Sequence, residues 1–127
     1  MGTLMAAGLM HAGKALKGVT ELSRENINAL FGAYLEGVMN LGKAKQGDKT
    51  FVDGLYPAVK ALTDSVELPL KESAAHAAEE AMRGYENTKG MLAVHGRAAT
   101  RGEASRELLD PGAYVAALLV KAFYDSL

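Results

Sequence analysis

With 127 residues, the chain is long enough for one domain and too short for two. Its 14 Lys and Arg residues nearly balance its 15 Asp and Glu residues, and a net charge of −1 gives no basic surface for nucleic acid or an anionic membrane. Cysteine is absent, which excludes disulfides and thiolate metal sites, and no apolar run reaches the roughly 18 residues of a membrane span. Because the N-terminus also lacks the charged region of a signal peptide, we expect a cytoplasmic protein.

Helical periodicity dominates the first third of the chain. Small and apolar residues recur at helical spacing over residues 3–17, and Gly18 follows as a stop signal. A second amphipathic helix is predicted from the N-cap Ser23 to about Leu41, with Gly42 ending it. Both patterns are typical of helices that pack on one another through one face.

Two further helices are predicted in the middle of the chain. The third begins near Thr50 and contains Pro57, where we expect a kink or a break because proline has no N–H and clashes with the preceding turn. The fourth covers residues 68–95 and has proline close to its start. Gly84 and Gly90 weaken this helix, so we expect a bend in it.

The last helix has the clearest start signal. Asp110 is a good N-cap, and Pro111 suits the first helical position because its missing N–H would have no partner there. Residues 96–109, between the fourth and fifth helices, are polar. No alternating run of β-branched and polar residues indicates a strand, so the sequence predicts an all-α fold.

Three loops combine glycine, charge and the start of a helix: residues 42–50, 96–99 and 110–113. Helix N-termini expose unpaired N–H groups, which suit a phosphate, and Arg97 can stack on a base or pair with a phosphate. The alternative interpretation is structural. Asp48 or Thr50, together with Asp110, would then be helix caps, and the glycines would be turn residues.

Other catalytic patterns are weak. The three histidines His11, His76 and His95 are not spaced as metal ligands, and none of them lies beside an obvious nucleophile. A Walker-type glycine loop is absent, because Gly42-x4-Gly47 is not followed by Lys-Ser/Thr. We therefore predict no catalytic residue and no metal ligand.

Four short motifs follow one another along the chain, and each is unspecific alone. They are Gly47-Asp48-Lys49-Thr50 with Asp53, Leu55, Pro57 and Ala58; Thr88, Met91 and Ala93 before Gly96-Arg97-Ala98; Gly102-Glu103 with Ser105; and Asp110-Pro111-Gly112-Ala113. In this order and at these separations they are specific, and the chain resembles the C-terminal two-thirds of the nucleotide-binding L subunit of dihydroxyacetone kinase.

The resemblance implies a fold and a ligand. The family fold is a closed barrel of antiparallel amphipathic helices, of which residues 1–127 would form a single partial domain with about five of about eight helices. It also implies binding of ADP or ATP and phosphoryl transfer to dihydroxyacetone. Carried over by position, the residues lining the nucleotide pocket would be Gly42, Phe51 (where the family usually has Met) and Arg97, with Asp110, Pro111 and Gly112 closing it.

One family motif has no counterpart in the chain. In the family, an aspartate-rich loop, G-D-G-D-T-G, holds magnesium ions on the phosphates, whereas here no aspartate precedes Asp48. We therefore expect these residues alone to be inactive. The resemblance implies a dihydroxyacetone-binding kinase subunit or domain as partner, with ATP or a phosphotransferase-system protein as phosphoryl donor. The alternative is a non-catalytic helical interaction module that self-associates or docks through an exposed apolar face.

Overall fold

The computed structural model describes residues 2–95 and 97–127, and of these the side chains of Arg97 and Ala98 are not described. No strand occurs in this part of the chain, so the all-α prediction is confirmed. None of its helices is both long and apolar enough to cross a membrane. The helices are α1 (Gly2–Ala15), α2 (Arg24–Gly42), α3 (Phe51–Asp64), α4 (Leu70–Glu86) and α5 (Pro111–Asp125), with a 3-10 segment (Arg97–Glu107) before α5.

Side-chain caps fix the starts of three helices. Ser23 caps α2, where its hydroxyl accepts the N–H of Asn26 at 3.1 Å and its own N–H donates to the Asn26 side chain. Thr50 caps α3 by accepting the N–H of Val52, and Asp110 caps α5 ahead of Pro111. The predicted starts of α2 and α5 are confirmed, because each capping residue satisfies N–H groups that the helix cannot pair.

Of the kink or break expected at Pro57, the break does not occur, since α3 continues through Pro57 to Asp64. Proline removes the N–H that would bond the carbonyl of Asp53, four residues earlier. Gly84 of α4 lies against this carbonyl so closely that a Cβ atom there would collide with it and with the Pro57 ring. The freed carbonyl therefore faces a neighbouring helix, and the packing of α4 covers the gap in the ladder.

The predicted fourth helix is too long. It ends at Glu86, nine residues before His95, and Gly90 adopts a left-handed conformation (φ 95°). The Gly90 N–H donates to the carbonyl of Arg106 at 2.8 Å instead of to a carbonyl of α4. Pairing with the 3-10 segment thus replaces helix continuation, and Gly84 and Gly90 do not bend one long helix.

Consecutive α-helices pack antiparallel in a bundle. The start of α1 lies on the end of α2, where a Cβ on Gly42 would be 2.9 Å from a methyl of Leu4. Gly42 is the last residue of α2, and the left-handed cap is Lys43 (φ 54°). Tyr85 near the end of α4 packs on Tyr114 near the start of α5, with ring centroids 5.0 Å apart. The core lies mainly among α2, α3, α4 and α5.

Arg24 joins three helices at the end of the bundle where α3 ends. One terminal nitrogen of its guanidinium donates to the carbonyls of Leu62 and Ser65, both at 3.1 Å, and to the hydroxyl of Ser73 at 2.5 Å. A cation at the C-terminus of a helix complements the helix dipole. Arg24 therefore fixes the start of α2 to the end of α3 and the start of α4.

Candidate functional site

Two of the predicted loops, residues 42–50 and 110–113, meet at the opposite end of the bundle, whereas Gly96 of the third lies outside the described residues. The starts of α3 and α5 lie side by side, because a Cβ on Gly54 would be 2.5 Å from the carbonyl oxygen of Ala113. The end of α4 reaches the same place, where the Thr88 hydroxyl accepts the N–H of Asp110 at 2.9 Å. Lys49 of the first motif also donates to the carbonyl of Ser105, so all four sequence motifs have residues at this end.

Asp53 organises the loop before α3. Only 2% of this residue is exposed, and its two carboxylate oxygens accept the N–H of Gly47 at 2.7 Å and the N–H of Thr50 at 2.8 Å. Asp48 has a different role, since its carboxylate accepts the N–H of Lys45 and lies 3.1 Å from Nε2 of His95. Of the caps considered from sequence, Thr50 is confirmed for α3, and Asp48 does not cap that helix.

Lys49 is the buried cation of this loop, with 3% of its surface exposed and a left-handed backbone (φ 63°). Its ammonium group donates to the carbonyl oxygens of Met91 at 3.3 Å, Ser105 at 2.5 Å and Leu108. Burial lowers the pKa of Lys49, and the charge of Asp110 partly opposes this shift. Backbone carbonyls therefore replace the water that an exposed lysine would bind.

Asp110 places a second carboxylate at this end. It is 8% exposed and accepts the N–H of Ala113 at 2.7 Å, which confirms it as the cap of α5. Burial raises the pKa of Asp110, Asp53 raises it further, and the hydrogen bond from Ala113 and the charge of Lys49 lower it. A phosphate at the start of α5 would compete with Asp110 for the N–H of Ala113, and at the start of α3 it would lie close to the Asp53 carboxylate.

The hydroxyls of Thr88 and Ser105 belong to the same network, and both residues are fully buried. Besides accepting from Asp110, Thr88 donates to the carbonyl of Tyr85 at 2.6 Å. The Ser105 hydroxyl accepts the N–H of Ala93 at 3.1 Å. Sequence reasoning used both residues only to identify motifs and did not assign them to the site, although a small polar residue in each motif was a usable signal.

Of the site residues predicted from the resemblance, Phe51 and residues 110–112 lie at the starts of α3 and α5, and Gly42 lies at the end of α2. Phe51 begins α3, is 3% exposed and packs against Tyr34 with ring centroids 6.3 Å apart. Residues 110–112 begin α5 beside it, with Pro111 exposed and Gly112 buried. Gly42 is the last residue of α2 and contacts α1. The side chain of Arg97 lies outside the described residues.

A polar cleft of about 190 Å³ opens between the start of α3 and the end of α4. Asp53 borders it, but both of its oxygens already accept backbone N–H groups. Across the described part of the chain, no three His, Asp or Glu side chains are grouped so that they could hold a metal ion.

Comparisons with known proteins agree with the motifs. The DAK2 domain family matches residues 1–125. The chain is 35% identical over 125 residues to the PEP-dependent dihydroxyacetone kinase 1, ADP-binding subunit DhaL, of Listeria innocua serovar 6a, covering 98% of this chain and 58% of that protein. It is 35% identical over 117 residues to the corresponding Escherichia coli K12 subunit, covering 88% and 54%. With the Homo sapiens triokinase/FMN cyclase it shares 34% identity over 128 residues, covering 99% and 22%. The chain thus spans a little over half the length of the two bacterial subunits.

Proposed function

The chain belongs to the DAK2 domain family, and on this premise we propose that it is the ADP- or ATP-binding component of a dihydroxyacetone kinase. Two of its relatives are named as ADP-binding subunits of such kinases. The observation that carries the proposal is the meeting of the four motifs at one end of the bundle, around the starts of α3 and α5. Motifs that are distant in sequence and adjacent in space are typical of a binding site built on loops.

The charges at this end favour one orientation of the nucleotide. Asp110 accepts a first-turn N–H of α5, Asp53 accepts the N–H of Thr50 immediately before α3, and both carboxylates repel phosphates. We therefore place the adenine and ribose against residues 110–112, with the phosphates directed towards Arg97 and away from the two carboxylates. Phe51 is buried, so its proposed role is to form the packed floor of the pocket.

Isothermal titration calorimetry with ADP tests this proposal. Arg97→Ala is expected to weaken binding about tenfold or more, because a charge-assisted hydrogen bond contributes roughly 1.5–3 kcal/mol. Arg101→Ala is the matched control, since it removes the same charge from an exposed position in the same 3-10 segment and is expected to leave the affinity nearly unchanged. Absence of ADP binding by the unaltered chain, or equal affinities of both variants, would contradict the assignment.

Phosphoryl transfer needs a partner in this proposal. Dihydroxyacetone would be held by a separate kinase subunit or domain, and the phosphoryl donor would be ATP or a phosphotransferase-system protein. We also propose that these 127 residues alone have no magnesium-dependent turnover. A coupled assay with a dihydroxyacetone-binding subunit tests this, and turnover by the chain with that subunit alone would refute it.

Exposed apolar side chains favour the second candidate, a non-catalytic interaction module that self-associates. On α1, Leu9 is 64% and Met10 66% exposed, and Leu118 and Leu119 of α5 are 44% and 41% exposed. Contiguous exposed apolar surface favours association. Sedimentation of the unaltered chain and of Leu9→Ser tests this candidate. A monomer that binds ADP would exclude it.

A further inference from the structure

The segment between α4 and α5 is tied to itself near both of its ends. At its start, the Gly90 N–H donates to the carbonyl of Arg106, and the Arg106 guanidinium donates back to the carbonyl of Gly90 at 2.9 Å. The Ala93 N–H donates to Ser105 across the same gap. The segment therefore leaves the bundle and returns as a loop with paired ends, which we call the 88–109 loop.

The ammonium group of Lys49 lies inside this pairing. Of its three carbonyl partners, Met91 belongs to the outgoing part of the 88–109 loop, whereas Ser105 and Leu108 belong to its returning part. Lys49 itself comes from the loop before α3. One cation thus joins both ends of the 88–109 loop to the start of α3.

Lys49 has a left-handed backbone conformation, which directs its side chain towards the 88–109 loop. A non-glycine residue rarely adopts a left-handed conformation, and such conformations persist only where the surrounding structure holds them. In the loop before α3, Gly47 adopts a positive φ at no steric cost because it has no Cβ. Lys49 adopts a positive φ although its side chain makes that conformation sterically costly. The turn directs this side chain inward, where the carbonyls are its hydrogen-bond partners.

From these contacts we infer that Lys49 is a positioning residue for nucleotide binding: it holds the 88–109 loop, and with it Arg97, against the start of α3. This inference rests on the proposed function, because Arg97 lies within the loop that Lys49 fastens. Lys49 acts through the loop backbone and does not touch the nucleotide. Without it, the loop has to be ordered when ADP binds, which lowers the affinity.

The test compares Lys49→Met with Lys60→Met. Both substitutions replace a lysine by methionine, but Lys60 is exposed on α3 and pairs with Asp64 of the same helix. For Lys49→Met we expect faster amide hydrogen exchange in residues 88–109, unchanged exchange in α2 and α3, and an ADP affinity lowered about tenfold. Lys60→Met is expected to change neither the exchange nor the affinity.

Lys49→Arg provides a second variant that keeps the charge and several N–H donors. We expect it to retain exchange protection of the 88–109 loop and most of the affinity. The inference is overturned if Lys49→Met leaves the loop protected, if it frees the loop without loss of affinity, or if it unfolds the whole bundle while Lys49→Arg loses affinity with its loop intact. Failure of the unaltered chain to bind ADP would instead refute the proposed function.

Discussion

Helices α1 and α3 have the same length and a similar share of apolar residues, yet they differ in burial. Eight of the 14 residues of α3 are buried, whereas in α1 only Gly8 and Ala12 are. The reason is arrangement: α3 packs against α2, α4 and α5, and α1 packs chiefly on α2. Apolar content therefore does not decide burial here, and the number of neighbouring helices does.

The largest expected difference between the two helices comes from truncating one apolar side chain in each. Phe51→Ala should lower the free energy of unfolding by about 3–5 kcal/mol, because it leaves a cavity in the core. Leu9→Ala on α1 should change it by less than about 0.5 kcal/mol, since Leu9 is mostly exposed. Urea denaturation followed by circular dichroism measures both.

Phe51→Met removes the aromatic ring but nearly conserves the volume of the side chain. We therefore expect the free energy of unfolding to fall by less than about 1.5 kcal/mol. A loss as large as that of Phe51→Ala would show that the ring contact with Tyr34 matters more than the volume.

A glycine pair sharpens the comparison at smaller magnitude. In α3, a Cβ on Gly54 would lie 2.5 Å from the carbonyl oxygen of Ala113 and 2.9 Å from the Cβ of Ala116, so Gly54→Ala should destabilise the bundle by about 1–3 kcal/mol. In α2, Gly32 has open space around it, and Gly32→Ala should stabilise the protein by up to about 1 kcal/mol. Equal melting temperatures for the two variants would argue against close approach of α3 and α5.

A moderate effect is expected at the cap of α5. Asp110→Ala should cost about 0.5–2 kcal/mol through loss of the hydrogen bond from Ala113, whereas Asp110→Asn keeps an acceptor and should cost less.

Because burial raises the pKa of Asp110, the folded state binds a proton more readily than the unfolded state. This group's contribution to stability therefore falls as pH rises from the ordinary aspartate pKa through the raised one.

Asp110→Asn should remove that part of the pH dependence. Thermal melts of the unaltered chain and the variant across acidic pH compare the two slopes. If melting temperature depended on pH in the same way for both proteins, Asp110 would have the same pKa in the folded and unfolded states. The effect of burial on its pKa would then be balanced by the hydrogen bond from Ala113 and the charge of Lys49.

Local chemistry made part of the fold predictable. Ser23 and Asp110 are residues whose side chains pair with helix N–H groups within three positions, so the starts of α2 and α5 could be predicted without knowing the rest of the structure. The end of α4 could not, because Gly90 pairs with Arg106, which belongs to a later part of the chain. Continuation through Pro57 likewise depends on Gly84 of another helix.

The candidate site was predictable as a set of loops and not as a network. The family motifs placed residues 47–50 and 110–113 together, and the structure has them at one end. Nothing in the local sequence distinguishes the buried Lys49 from Lys43 and Lys45, which are exposed in the same loop. Its burial follows from carbonyls more than 40 positions away, which no local pattern around Lys49 indicates.

The two ends of the bundle are held by different kinds of contact. Arg24 holds the end of α3, where its guanidinium donates hydrogen bonds to two carbonyls and a hydroxyl. The other end is held by Lys49 and Asp110, whose pKa values burial shifts towards neutrality. Each of these two groups therefore loses its charge more readily in the folded state than in the unfolded state. Asp110 should contribute more to stability as pH falls towards the ordinary aspartate pKa, and Lys49 should contribute more as pH rises towards the ordinary lysine pKa, so that these two groups make the stability of the motif end depend on pH.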